Sequence, residues 1–105
     1  MRKLQISVSR EKIVDFCKRW QIIEFSFFGS ILRDDFNPEK SDIDILIEFS
    51  STSSWGLFNL VKMEEELSLL FNRRVDLVNK KAIENSRNSI RKRNILESAE
   101  IYYAA

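Results

Sequence analysis

Residues 41–49 read Ser-Asp-Ile-Asp-Ile-Leu-Ile-Glu-Phe and give the clearest strand signal in the chain. Asp42 and Asp44 flank Ile43 at its head, so both carboxylates project from one face of the predicted strand. Apolar side chains alternate onto the opposite face, as expected of a strand with one side in the core: Ile43, Ile45, Ile47 and Phe49.

The two neighbouring carboxylates, Asp42 and Asp44, require an explanation because like charges repel and no basic residue separates them. A hard divalent cation offsets such repulsion. Mg²⁺ prefers oxygen ligands and commonly takes one or two carboxylates together with substrate phosphates. The alternative is that a lone Asp-x-Asp is a turn or a solvated strand end.

Asp76 is a third candidate ligand, in the middle of a third short strand predicted over Arg74 to Val78. A carboxylate between Val75 and Leu77 is unfavourable in a plain core strand. If this strand pairs beside residues 43–49, Asp76 joins the face of the first two carboxylates. Three carboxylates around two metal ions suit in-line nucleotidyl displacement. Alternatively, Asp76 is an ion-pair partner of a neighbouring arginine, Arg73 or Arg74.

Gly29-Ser30 follows a predicted strand, Ile22 to Phe28, and is a candidate phosphate site. Glycine lets backbone approach a phosphate closely, and the amides after Ser30 stand where a short helical turn is predicted to begin. Arg33, one turn further on, can reach the same phosphates. The alternative is an ordinary turn.

The remaining pattern alternates helices and strands and predicts an α/β (α+β) fold, a small mixed β-sheet of three or four strands with helices packed on it. Ser9 can cap the first helix, and a loop is predicted from Lys80 onward. Ile101 to Tyr103 form either an edge strand or an extension of the last helix. The predicted helices cover Arg10 to Trp20, Leu57 to Phe71 and Asn88 to Ala99.

Apolar residues define the expected core. In the Leu57 to Phe71 helix, those expected to face inward are Leu57, Leu60, Val61, Met63, Leu67, Leu70 and Phe71. Most phenylalanines are also expected there: Phe25, Phe27, Phe28, Phe36, Phe49 and Phe58. Phe36 and Trp55, in predicted loops, serve either as core or lid residues or as exposed contacts for a partner or a base.

The composition limits the kinds of partner and of catalytic residue that the chain can have. With 105 residues the chain is expected to be one domain, 1–105, and a net charge of +1 gives no strong drive toward nucleic acid or membranes. There is no histidine, and the one cysteine, Cys17, sits among apolar residues as a core residue would. Neither a signal peptide nor a membrane span is evident, so a cytoplasmic protein is expected.

Two other groups of charged residues have alternative interpretations. Glu64 either supports the carboxylate cluster or pairs with a basic side chain at the edge of its helix. Basic residues near the C-terminus either contact a phosphate, an RNA end or an acidic partner, or form the solvated face of the last helix: Lys80, Lys81, Arg87, Arg91, Lys92 and Arg93. Aromatic residues do not interleave with them, so stacking on single strands is not supported.

The motif Phe28-Gly29-Ser30, eleven residues, Asp42-Ile43-Asp44 and then Asp76 resembles the signature of the polymerase-β-like nucleotidyltransferase superfamily. The resemblance is greatest to its MNT (minimal nucleotidyltransferase, MntA-like) branch and extends over nearly the whole chain. Where many members show Ala-Arg-Gly, this chain has Leu32-Arg33-Asp34.

The resemblance implies a polymerase-β-like fold and a role for each motif residue. Gly29, Ser30 and Arg33 would bind the triphosphate of ATP. Asp42 and Asp44 would bind two Mg²⁺ ions. Asp76 would bind the catalytic metal and help activate the attacking hydroxyl, so all three aspartates would be catalytic.

The resemblance also implies a partner, because MNT proteins are often encoded beside a HEPN-domain ribonuclease and act as its antitoxin. Transfer of AMP from ATP to a tyrosine of that toxin is therefore expected. Two alternatives remain open. The chain is a non-catalytic module that neutralises its partner by binding, or it modifies a small molecule or an RNA end. A homodimer is also compatible with the sequence.

Overall fold

The computed structural model describes residues 8–32, 42–51 and 55–105. They form four α-helices and four strands, with a 3₁₀ turn at Gly29–Leu32 directly after the first strand. The elements are α1 (Arg10–Arg19), β1 (Ile22–Phe28), β2 (Ile43–Phe49), α2 (Leu57–Phe71), β3 (Val75–Asn79), α3 (Lys80–Glu84), α4 (Ser89–Ser98) and β4 (Glu100–Ala104).

The four strands form one mixed sheet in the order β3-β2-β1-β4. β1 is antiparallel to both of its neighbours, whereas β2 and β3 run parallel. The predicted small mixed sheet with helices packed on it is confirmed. Ile101 to Tyr103 belong to an edge strand, which settles the alternative left open for them. No helix in the described part of the chain is long and apolar enough to cross a bilayer.

Both faces of the sheet carry apolar side chains, because alternate residues of each strand point to opposite faces. The first face forms the main core with α1 and α2, and the buried side chains at its centre are Phe16, Phe25, Phe27, Ile43, Ile45, Ile47, Met63 and Leu67. The second face holds a smaller cluster under α3 and α4, built from Phe28, Leu46, Ile83 and Ile95. α3 and α4 thus cover the middle of the second face.

α1 follows the predicted amphipathic pattern with two refinements. Ser9 occupies the N-cap position with extended backbone, but its side chain makes no capping hydrogen bond. Cys17 is fully buried, and this burial raises the pKa of its thiol to about 12. A thiol held neutral in this way behaves as a small core residue rather than a nucleophile.

Three expectations about α2 and the segment after β3 are wrong. Leu57 and Val61 do not face inward but are exposed, and Phe58 is exposed rather than part of the core. The segment beginning at Lys80 is a short helix rather than a loop, because the Asn79 side chain accepts a hydrogen bond from the Lys81 amide at 3.0 Å and caps it.

An ion pair fixes the start of α3 against the second face of the sheet. Lys80 Nζ lies 3.0 Å from Glu24 Oε1, and both side chains are largely buried. Glu24 is paired with Glu48 across the β1–β2 ladder, so Lys80 offsets a pair of neighbouring carboxylates. The hydrogen bond to Glu24, and then the charges of Glu24, Glu48 and Glu84, raise the pKa of Lys80.

Replacing Lys80 by glutamine should lower the free energy of unfolding by about 1–2 kcal/mol at pH 7, because two adjacent carboxylates lose their cation. Since the pKa of Lys80 is raised, its contribution is complete below the ordinary value of 10.5 and is lost as the pH rises through the folded value. Urea unfolding measures the effect. Lys81→Gln, at an exposed neighbour, should change stability by less than about 0.5 kcal/mol, and equal losses in both variants would contradict this role.

Candidate active site

The end of β1 and the starts of β2 and β3 lie side by side at one end of the sheet, and they bring the predicted carboxylates together. β1 is antiparallel to β2, so Phe28 at the end of β1 is paired with Asp44 near the start of β2. β3 is parallel to β2 and in register, so Asp44 is paired with Asp76. Because paired residues of adjacent strands share a face, Asp44 and Asp76 lie side by side. The strand pairing on which the assignment of Asp76 depended is therefore present.

Asp42 directly precedes β2 and lies two residues before Asp44. The β2–β3 ladder begins beside it, where the Ile43 amide donates a hydrogen bond to the Arg74 carbonyl at 3.0 Å. Asp42 and Asp76 are exposed, whereas Asp44 is half-buried. Asp42 and Asp76 therefore face solvent, and the half-buried Asp44 lies between them in a row of three aspartates.

Gly29 packs its backbone against the carboxylate of Asp44. Its φ is +77°, a left-handed conformation that L side chains rarely adopt. A Cβ atom built on Gly29 would lie 2.3 Å from Asp44 Oδ2, far closer than atoms can approach. Glycine is thus required at this position for two reasons: the positive φ of the backbone and the close approach of the Asp44 carboxylate.

The other two predicted phosphate contacts are only partly visible. The backbone of Ser30 follows Gly29 in the 3₁₀ turn, but its side chain lies outside the described part of the structure. Arg33 and Phe36 also lie outside the described residues. The roles of Ser30 and Arg33 therefore stay predictions.

The aspartates fit the chemistry of a hard metal ion through their donor set, which is all oxygen. The strand register and the close approach of Gly29 hold Asp44 beside Asp76. In residues 8–32, 42–51 and 55–105, no three His, Cys, Asp or Glu side chains already form a group that could hold a metal ion. The assignment of Asp42, Asp44 and Asp76 as Mg²⁺ ligands therefore stays a prediction.

The second face of the sheet is divided along the strands into three zones. The aspartates lie at one end, and the Glu24–Lys80 ion pair lies at the other. Between them, Leu46 and Val78 belong to the small apolar cluster under α3 and α4. Among the described residues, α3 and α4 therefore cover the middle of this face and not its carboxylate end.

Glu66, and not Glu64, pairs with a basic side chain. It accepts a hydrogen bond from Trp20 Nε1 at 2.9 Å and is ion-paired with Arg19, which ties α2 to α1. Glu64 is half-buried and forms no ion pair within the described residues. Trp55 is 36% exposed, and its Nε1 donates a hydrogen bond to the Trp20 carbonyl at 2.6 Å.

The basic residues after β3 are distributed over different environments. Lys80 is engaged with Glu24, as described above. Arg91 and Arg93 are exposed on α4, and Arg93 Nε lies 3.5 Å from Glu97 Oε1 one turn away. This arrangement favours the solvated helix face over a concentrated binding patch.

Comparison with known proteins identifies the class to which this fold and site belong. The model of the nucleotidyltransferase domain family matches residues 10–102. The chain belongs to this family.

Relatives specify the branch. A protein of Methanocaldococcus jannaschii named "Putative protein adenylyltransferase MJ0128" is 41% identical over 68 residues, which are 65% of this chain and 66% of the relative. Protein adenylyltransferase MntA of Thermococcus cleftensis is 37% identical over the same coverage of 65% and 66%. The matched segment thus spans just under two thirds of these relatives. The MNT branch indicated by the sequence is confirmed.

Solved structures show the same fold. A minimal nucleotidyltransferase is 25% identical, with a TM-score of 0.65, and the match covers 87% of this chain and 86% of that one. A toxin–antitoxin structure with AMP-PNP has a TM-score of 0.68 at 16% identity, covering 90% and 73%. A tri-AMPylated Shewanella oneidensis HEPN toxin in complex with its MNT antitoxin has a TM-score of 0.62 at 16% identity, covering 90% and 69%.

Proposed function

We propose that this chain transfers AMP from ATP to a tyrosine hydroxyl of a partner HEPN-domain toxin and thereby acts as its antitoxin. The observation that carries the proposal is the register of β2 and β3, which pairs Asp44 with Asp76 beside the backbone of Gly29. Membership of the nucleotidyltransferase family and the names of the relatives support the same activity.

In the proposed reaction the tyrosine oxygen attacks the α-phosphorus of ATP. The bond from that phosphorus to its bridging oxygen breaks, pyrophosphate leaves, and the tyrosine carries AMP. Asp76, exposed on the edge strand, accepts the proton that the tyrosine hydroxyl loses. The backbone of Gly29, with Ser30 and Arg33, holds the triphosphate.

Asp42, Asp44 and Asp76 would supply oxygen ligands for two Mg²⁺ ions. Bound Mg²⁺ would neutralise phosphate charge and lower the pKa of the attacking hydroxyl. The half-buried Asp44 holds its carboxylate in place between the two exposed aspartates, which are accessible to nucleotide and to acceptor. Preorganisation of this kind lowers the barrier because the groups need not be ordered during the reaction.

The proposal is tested by incubating the purified chain with its HEPN-domain partner, ATP labelled at the α-phosphate, and Mg²⁺. Label is expected on a tyrosine of the partner, and chelation of Mg²⁺ with EDTA should abolish transfer. ATP labelled at the γ-phosphate is the matched control and should leave the partner unlabelled, because pyrophosphate departs.

A complex that neutralises the toxin without any α-phosphate label would instead establish the non-catalytic binding module. Label appearing on RNA in the absence of the partner would favour an RNA-end nucleotidyltransferase. Because Mg²⁺ with ATP binds only the folded site, together they should also raise the melting temperature. The absence of this shift would count against the nucleotide site itself.

A further inference from the structure

The two flanks of the carboxylate row have different surroundings. On the β1 side, Asp44 is half-buried and its carboxylate lies against the backbone of Gly29. On the other side, Asp76 is exposed although it lies within a strand, and β3 is the outermost of the four described strands. Asp42, directly before β2, is exposed as well. One flank of the row is therefore packed against protein, whereas the other is in contact with water.

The exposed flank is the one at which the attacking oxygen must stand in the proposed reaction. Gly29 belongs to the flank that holds the triphosphate, and Asp76 accepts the proton of the attacking hydroxyl. A carboxylate that takes a proton from a hydroxyl group can take one from water in the same way. Active sites that must prevent hydrolysis close over the substrate and expel water. The exposure of Asp76 means that water already occupies the acceptor's place when no acceptor is bound.

We propose that the chain without its partner hydrolyses ATP to AMP and pyrophosphate, with water in the place of the tyrosine hydroxyl; this inference rests on the proposed function. The water oxygen attacks the α-phosphorus, and the bond from that phosphorus to its bridging oxygen breaks. Pyrophosphate leaves, Asp76 accepts one proton of the water, and the remaining hydroxyl becomes part of the AMP phosphate.

Hydrolysis should be slower than transfer to the partner by about 100-fold or more. A docked acceptor holds its hydroxyl in line with the phosphorus, whereas a water molecule beside the exposed Asp76 is free to exchange with solvent. Positioning of the attacking group is among the largest contributions to the rate of such reactions. The activity is therefore a slow one that appears when the acceptor is absent.

The test incubates the purified full chain with ATP and Mg²⁺ in water enriched in ¹⁸O, without the partner. AMP and pyrophosphate should form in equal amounts, and mass spectrometry should find one ¹⁸O atom in the AMP phosphate and none in pyrophosphate. Formation of ADP and phosphate, or ¹⁸O in pyrophosphate, would mean attack at another phosphorus and would overturn the inference. So would the absence of AMP.

Asp76→Asn should lower the release of AMP by about 100-fold, because it removes the group that accepts the proton. Glu65→Gln is the matched control, since it neutralises an exposed carboxylate on α2 and should release AMP at the wild-type rate. Both positions are exposed, so both variants should keep the wild-type melting temperature. Equal release of AMP by Asp76→Asn and by the wild type would overturn the role of Asp76 and point to a contaminating enzyme.

Addition of the HEPN-domain partner separates this inference from the proposed function. Excess partner should suppress the release of AMP, because its tyrosine and water compete for the same phosphorus. If the partner is labelled but the chain alone releases no AMP, transfer stands and hydrolysis fails. If the chain alone releases AMP but the partner is never labelled, hydrolysis stands and transfer to the partner fails. Labelling of the partner with no decrease in AMP release would show that water does not enter at the acceptor's place, and this would overturn the inference.

Discussion

Replacing Gly29 by alanine is expected to reduce AMP transfer by about 100-fold or more. The new Cβ would lie 2.3 Å from Asp44 Oδ2, so either the turn or the carboxylate must move. Displacements of about 1 Å in a catalytic arrangement can cost 10²-fold in rate. The effect arises without removing any functional group, which distinguishes it from mutation of a ligand.

The same substitution should also lower the free energy of unfolding by about 1–2 kcal/mol, because an L residue is strained at positive φ. Gly29 has φ +77°, so the strain is present even if the Asp44 side chain rotates away. Urea unfolding and the initial rate of label transfer measure the two effects separately.

Gly56→Ala is the matched control, since it makes the identical chemical change where the structure can accept it. Gly56 has a φ of −98°, and no atom lies within 4 Å of a Cβ built on it. Because glycine is preferred to alanine at an N-cap, Gly56→Ala should lose up to about 1 kcal/mol of stability but no activity. A Gly29→Ala protein with the rate and stability of Gly56→Ala would contradict the role assigned to the Gly29–Asp44 contact.

Local sequence rules were sufficient for the carboxylate positions. The period of two along β2 separates Asp42 and Asp44 from the buried Ile43 and Ile45, and this alternation follows from strand geometry alone. Asp76 required one further condition, the pairing of β3 with β2, which joins residues distant in sequence. The register that pairs Asp44 with Asp76 satisfies that condition.

The contact between Gly29 and Asp44 could not be predicted, because it joins a turn after one strand to a side chain of the neighbouring strand. The sequence suggested a glycine that admits a phosphate. The structure gives it a second partner, the Asp44 carboxylate. Distances of this kind depend on the twist and register of the folded sheet and not on any local preference.

The predicted inward positions of Leu57, Val61 and Phe58 are wrong because apolar character alone does not place a residue in the core. Folded proteins also expose much apolar surface, so this rule works in one direction only. A helical wheel offers part of the missing signal, since Phe58 lies opposite Leu67 and Val61 lies nearly opposite Met63. Leu57, the first residue of α2, lies at the flank of the buried face. Likewise, Asn79 was a readable N-cap for the helix that was expected to be a loop.

Changing Asp44 to asparagine is expected to reduce AMP transfer by about 10²–10³-fold, comparable to the loss of a single key electrostatic group in other enzymes. Asparagine keeps the size of the side chain against Gly29 but removes the negative charge. Asp44 is the half-buried member of the row and lies directly beside Asp76, so its charge has the most fixed position. Both the rate of label transfer and the thermal shift with Mg²⁺ and ATP should fall.

Glu48→Gln is the control, because it removes one carboxylate charge from the same face of the same strand, at the end away from the site. Glu48 is paired with Glu24 near Lys80, so any effect should concern stability rather than transfer. Loss of transfer in both variants would indicate a general electrostatic effect and contradict a local site at Asp44.

Binding to the HEPN-domain partner supplies the decisive comparison for Asp44→Asn. Asparagine has nearly the size and shape of aspartate, so this variant should bind the partner with wild-type Kd while failing to label it. Loss of antitoxin activity together with retained binding would then make the chemistry necessary for neutralisation. Full antitoxin activity of Asp44→Asn would instead mean that occupation of the partner suffices, because the only property removed is the charge that the reaction requires.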